Sequence, residues 1–549
     1  MKLAKLVLTF LFATALCASA NAQDQHQHQH EHGAHEELGQ VNFRVSCGAA
    51  AQKQFNRADA LLHSFGYEQA EKAFTEVLAT EPDCVMAYWG IAMTQYHPIW
   101  APPTPAELKK AWAAVEKAKS MTAKSAREKD YIVAIEAFYK DHDKIDHATR
   151  TVNYERAMEQ VFKRYSDDRE AAIFYALSLL GTASSRAVDK SFAKQKQAVE
   201  ILNGVLQKEP SHPGVAHYII HSYDYPELAN LALPAARSYS KIAPSSPHAL
   251  HMPTHIFTRL GLWQESIESN IASAESAKRL VAKEHPGHAS FDQLHAMDYL
   301  MYAYLQGAQD EKAKQVWDEL NTISKLDADV IAAAYSFAAA PARYALERGR
   351  WSEAAQLTLH PADFPWNRFP QAEAINHFAR AMGAARSADP VSARSEVDRL
   401  ETLRKSIIAS KDPYWPTQVE IQKLTAEAWI AKAESRNEDA LRIMRSAADL
   451  EDSTDKHPVT PGAVLPAREL LGDLLMELGK PVDAIKEYDA SLRRVPNRFN
   501  GLYGAARAAE LAGDSAKAKE YYLKLTSVCA KAEGERPELR SAKKFLASK

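Results

Sequence analysis

Almost no stretch of this chain alternates apolar and polar residues as a strand would; alanine, leucine, glutamate and lysine dominate, with apolar residues at helical spacing. A longer period overlies that pattern. Gly479, Ala484 and Tyr488 are followed 34 residues later by Gly513, Ala518 and Tyr522. The clearest unit runs from Leu465 to Arg498 and includes Leu471-Gly472, Ser491 and Pro496. A weaker copy near the start has Gly66, Ala70, Phe74 and Pro82, followed by the small and apolar run Met86 to Ala92. Leu260-Gly261-Leu262-Trp263 and Arg348-Gly349-Arg350-Trp351 mark further turns between helices. Helix pairs are predicted through 147–184, 213–243, 292–325, 370–408 and 415–450, within a total of roughly eight to ten pairs.

The repeated residues resemble the tetratricopeptide repeat (TPR) family most closely from 465 to about 531, and as architecture over most of 49–530. That resemblance implies an all-α, TPR-like helical-repeat solenoid, a right-handed superhelix of antiparallel helix pairs. In it, small residues let paired helices approach, an aromatic fills the gap and proline ends the second helix. Gly479 and Gly513 fall at the inter-helix turn, where glycine's access to positive φ is useful. Leu61 to Phe65, Ala87 to Met93 and His251 to Ile256 are similar to segments of a group of exported bacterial TPR proteins, a likeness that carries no catalytic residue across. The family's concave face commonly binds an extended segment or helix of a partner.

Two stretches break the pattern. His97 to Pro105 holds four prolines and is expected to be an ordered loop. Asp24 to Gln40 is polar and histidine-rich, and 23–48 as a whole is expected to be a flexible arm. Before it, Lys2 and Lys5, the short apolar run Leu6 to Leu16, and Ala20-Asn21-Ala22 read as a cleavable export signal over 1–22. The expected plan is therefore signal, arm, divergent repeats over 49–310 and regular repeats with a capping helix over 311–549, in a periplasmic or secreted protein.

Composition narrows the function classes. The formal net charge is −3, or −5 once the two leader lysines are removed, which excludes the basic excess of a nucleic-acid binder. After the leader no stretch reaches the roughly 20 apolar residues of a membrane span. Cys47 and Cys84 lie about one repeat apart and are either a disulfide or two buried thiols; Cys529 reads as an unpaired core residue. Nucleophile elbows, phosphate-binding glycine loops, dinucleotide fingerprints and haem attachment motifs are absent.

Histidine is the unevenly distributed residue: of 21, five fall between His26 and His35 and nine between His212 and His295. His217 and His221, like His251 and His255, are four apart and share a helix face. The two pairs are offset by 34 residues, so they hold equivalent positions in successive repeats. Imidazole is a common ligand for zinc and copper. One reading is a single divalent ion held by His217, His221, His251 and His255, with His295 or Asp298 completing the set. The other is that these histidines line a groove for a protein or peptide partner, together with His63, His248 and His288. Pro253, inside a predicted helix, is expected to bend it and open space around the histidines.

Overall fold

The computed structural model describes residues 36–99, 102–185, 189–534 and 536–548. The leader, the five closely spaced histidines of the arm and Trp100 lie outside them. Among the described residues there are no strands, only two isolated bridges, Ala289 with Leu326 and Gln309 with Glu533. Antiparallel helices follow one another in packed pairs from Ala49–His63 to Pro537–Ala547, a TPR-like helical solenoid. Each pair expected from the sequence forms; Pro213–Ser222 with Ala229–Ile242 and Phe291–Gln306 with Asp310–Leu320 are two of them.

The small residues act where the period places them. Gly261, Gly349, Gly479 and Gly513 stand at φ between +62° and +83° in the turns. Tyr488 inserts between helices Ala467–Glu477 and Phe499–Leu511, and a Cβ at Gly472 would stand 2.7 Å from its ring. The chain divides at Pro253 as well. Helix Pro247–His251 ends at Met252, and Pro253 starts the next helix, Pro253–Arg259, at a first-turn position that needs no backbone donor.

Residues 37–48 depart from the arm expected there. Gln40 donates its amide to the Ser211 carbonyl (3.0 Å), Ser245 donates to the Glu37 carbonyl (3.1 Å), and Phe43 is fully buried against Phe55, Trp89 and Tyr131. Leu38 and Phe43 are buried, with Val41 and Val45 packed beside them, and so seat a segment whose average composition reads as polar. Cys47 at its end is disulfide-bonded to Cys84, and Cys529 is a free, buried thiol. The buried apolar residues form one cluster from Leu38 to Phe257, a second from Trp263 to Ala508, and a smaller third that joins Ala308 to residues from Phe499 to Ala542.

The segment between helices Asn437–Asp452 and Ala467–Glu477 folds back over the first helices of several pairs. Arg343, fully buried, donates to the Gly462 carbonyl (2.8 Å), the Ala463 carbonyl (2.9 Å) and Thr460 Oγ1 (3.1 Å). The Tyr299 hydroxyl donates to the Thr460 carbonyl at 3.0 Å. The groove beside the histidines is thus occupied by the chain itself. Two cavities flank the segment, of about 60 and 80 Å³, room for a few ordered waters.

Arg498 ties distant repeats together: it donates to both Glu469 oxygens (2.9 Å each), to Glu347 Oε2 (3.0 Å) and to the Tyr302 hydroxyl (2.9 Å), with no exposed surface. Removing the guanidinium leaves two carboxylates buried without their counter-charge. Arg498→Ala is expected to destabilise the chain by about 3–5 kcal/mol. Lys524→Ala, which breaks the exposed pair with Glu520, is expected to cost under about 1 kcal/mol. Urea midpoints of the two variants compare them directly.

Candidate metal centre

Helix Pro213–Ser222 begins with proline at its first position and presents His217 and His221 one turn apart. His248 and His251 lie on the five-residue helix Pro247–His251, whose start Ser246 caps through the Ala249 amide (3.3 Å). His255 follows on Pro253–Arg259, and His295 lies in the first half of Phe291–Gln306. These elements bring six imidazoles together as two trios, His217, His221 and His248, and His251, His255 and His295, with the candidate ligand atoms of each trio within 4.8 Å of one another. The trios adjoin, because the His221 and His255 rings are 6.2 Å apart between centroids.

The four histidines expected to share one ion, His217, His221, His251 and His255, are divided between the two trios. Repeat-equivalent residues stand on neighbouring helices whose axes are about 8–10 Å apart, so each pair recruits a third ring from the next repeat instead. His248, expected in a ligand groove, completes the first trio, and His295 completes the second. Asp298 belongs to neither: its Oδ1 accepts from Arg343 Nε at 3.0 Å. His288 is exposed, with Nδ1 3.3 Å from the Pro286 carbonyl, and also belongs to neither.

Hydrogen bonds determine which nitrogen each ring offers. His217 Nδ1 lies 2.6 Å from the His63 carbonyl, which can only accept, so Nδ1 carries the proton and Nε2 is bare. His251 Nδ1 is 2.8 Å from Asn270 Oδ1, and Asn270 Nδ2 donates to the Ser266 carbonyl, which sets the amide's orientation. His255 Nδ1 is 2.9 Å from Asp224 Oδ2. Both Nδ1 atoms of this pair therefore donate, and the two bare Nε2 atoms face each other at 3.2 Å. His248 Nε2 stands 3.0 Å from His217 Nε2 in the other trio. A tetrahedral ion with nitrogen ligands at about 2.0–2.1 Å holds them about 3.3 Å apart.

Electrostatics keep these rings in their ligand form. Burial, with the neighbouring imidazoles adding to it, pushes His217, His221, His248 and His295 well below the ordinary histidine range. Burial and His255 do the same to His251, and His255 is lowered by burial although Asp224 opposes it. Burial alone would raise Asp224, but the Lys456 ammonium and Arg259 guanidinium outweigh it and hold the carboxyl well below its usual range. Lys456 Nζ is 2.8 Å from Asp224 Oδ2, and burial brings its own pKa down to about 8. Arg259 Nε is 2.8 Å from Asp224 Oδ1. His221 Nε2 is buried and finds no hydrogen-bond partner among the described residues.

His63, the remaining groove candidate, is fully buried in a third group with Glu170 and His212. Burial opposes protonation of its ring, but the carboxylates of Asp59 and Glu170 outweigh it and raise the pKa to about 10. Sequence reasoning passed over Glu170, His212, Asp224, Asn270 and Lys456. Asp224 had a legible signal, three residues after His221 in a turn, and so did His212, five residues before His217 at the start of the same helix; Glu170, Asn270 and Lys456 come from other elements.

No protein-family model matches this chain, and no curated protein matches it. Among solved structures, the human IFIT1 dimer with m7Gppp-AAAA is 11% identical at TM-score 0.36, covering 81% of this chain and 90% of that one. Yeast Tom70 is 11% identical at 0.35, covering 91% and 95%. Naa15/Naa10 bound to HypK-THB is 14% identical at 0.23, covering 91% and 73%. Likeness at these scores carries no argument about activity, and the repeat architecture rests on the helix pairing itself.

Buried neutral imidazoles make stability depend on pH. The unfolded chain protonates its histidines near pH 6.5, whereas the six folded ones resist, so the unfolded state binds more protons as pH falls and stability drops. His63 runs oppositely: raised to about 10, its contribution is complete below about pH 6.5 and is lost as pH rises towards 10. The metal-free chain is expected to lose urea resistance from pH 7 to 5, and a His221→Asn/His295→Asn chain to lose less. A midpoint that holds steady or rises over that range in the parent chain contradicts neutral burial.

Proposed function

We propose that this is an exported metal-binding protein in which a TPR-like solenoid holds transition-metal ions, zinc or copper, at two adjoining three-histidine sites. The observation that carries this reading is the His251–His255 contact. Two lone pairs face each other at 3.2 Å inside the protein, and each Nδ1 is committed to an acceptor. With both rings neutral and neither a proton nor a metal ion between them that contact is repulsive, and each buried unsatisfied nitrogen costs about 1–3 kcal/mol. Imidazole donors suit zinc and copper, and three protein ligands leave a fourth position for water or a substrate.

Asp224 and Asn270 supply the outer hydrogen bonds that orient ligating imidazoles and raise their basicity. Export is supported by the leader pattern at 1–22 and by the Cys47–Cys84 disulfide, a bond that persists in oxidising compartments. A partner-binding role would use other faces of the solenoid, because five of the six histidines are no more than 7% exposed.

The test is elemental analysis of full-length protein purified without a metal-affinity column. His221→Asn and His295→Asn are each expected to remove one ion per chain, and deletion of 24–35 to remove neither. Metal that disappears only with the 24–35 deletion, or metal content untouched by both substitutions, overturns the reading. Asp224→Asn is expected to weaken the second site about 10–100-fold in a chelator competition and to leave the first unchanged.

A further inference from the structure

A further group of buried candidate ligands, His63, Glu170 and His212, adjoins the first trio and draws on different residues. Asp59 and His63 are four apart on helix Ala49–His63 and so share its face. Glu170 stands in the first turn of Arg169–Ser184, and His212 caps the start of Pro213–Ser222. His63 Nε2 is 3.0 Å from Glu170 Oε2 and 3.6 Å from Asp59 Oδ2, and His212 Nε2 is 3.0 Å from Glu170 Oε1. Ligands about 2.1 Å from a common ion stand at such separations. All four side chains are within 2% of complete burial.

Hydrogen bonds to Glu170 account for one nitrogen each of His63 and His212 but not for Asp59. Neither Asp59 oxygen finds a hydrogen-bond partner among the described residues, although both are buried. Proton sharing with His63 offsets one negative charge of two, and a buried unsatisfied carboxylate is among the costliest groups a protein can carry. A dication between His63, Glu170 and His212 would balance the Glu170 carboxylate and the Asp59 carboxylate next to it. The surroundings are built to aim His63: its Nδ1 lies 2.9 Å from the Tyr218 hydroxyl, and Phe174 stacks on its ring at 4.8 Å. A Cβ at Gly214 would stand 2.5 Å from that same Nδ1, so the approach needs a residue without a side chain there.

We infer that His63, Glu170 and His212 bind one divalent cation, with the Asp59 carboxylate beside His63 as a second counter-charge, at a site distinct from the histidine trios. Its oxygen donors suit a harder ion than the all-imidazole trios do, of the zinc, manganese or ferrous class. The position also serves the trios, because the His63 carbonyl is the acceptor that orients His217.

The experiment uses the full chain with both trios disabled, His221→Asn/His295→Asn, dialysed against zinc sulfate and then against metal-free buffer. One zinc per chain is expected to remain, and Glu170→Gln or Asp59→Asn added to this background is expected to remove it. Asp59→Asn keeps the side chain's size but removes one counter-charge of His63, so circular dichroism checks folding. If the trio-disabled chain does not fold, Asp59→Asn in the otherwise unaltered chain is expected to lower the zinc count by one. Zero zinc in the folded trio-disabled chain overturns this inference and leaves the trios standing. Zinc that persists through both Asp59→Asn and Glu170→Gln overturns it as well.

Discussion

A buried imidazole has two nitrogens and one proton, and an acceptor placed at Nδ1 decides what Nε2 must be. In this solenoid the His63 carbonyl, Asn270 and Asp224 make that decision for His217, His251 and His255. The bare nitrogens that result are turned towards each other rather than towards solvent. Much of the surrounding structure follows from holding the acceptors still. Asp224 is gripped by Arg259 and Lys456, and Lys456 arrives on the segment that Arg343 and Tyr299 clamp across the groove. The infilling of the groove and the chemistry of the histidines are thus one arrangement.

Arg343 also explains why Asp298, on the same helix as His295, is no ligand. Its Oδ1 accepts from a guanidinium at 3.0 Å, and both groups are buried. A carboxylate neutralised in this way has little charge left to offer an ion, and releasing it would leave Arg343 buried and unpaired. Arg498 with Glu347 and Glu469 repeats the pattern where distant repeats meet. Such pairs contribute modest net stability but make misregistered packing costly.

The fold was legible because a solenoid writes its period into the chain: the 34-residue offset from Gly479 to Gly513 reads out the turns, and the same offset pairs His217 with His251. The site was legible only in part. A spacing of four residues says that two histidines share a helix face, but not which neighbouring helix that face meets. Hence one four-histidine set was expected where His248 and His295 complete two trios. Glu170 and His212 join His63 across contacts that span more than a hundred residues, a relation no local pattern encodes. Residues 37–48 were misjudged for a related reason, since seating them depends on a cavity that other helices build around Phe43.

The two proposed kinds of site would divide metal ions by charge as well as by donor. Six neutral imidazoles bring no negative charge to the trios. The nearest carboxylate, Asp224, is already balanced by Arg259 and Lys456. An ion entering there keeps its full charge in a low-dielectric interior, where the penalty rises steeply with charge. A single positive charge, as on cuprous copper, is tolerated more readily than two. Zinc reaches the same balance only with an anion in its fourth position, a role that its bound water fills by losing a proton. The proposed site at Glu170, with Asp59 beside it, has the opposite character, because its two carboxylates would match one dication.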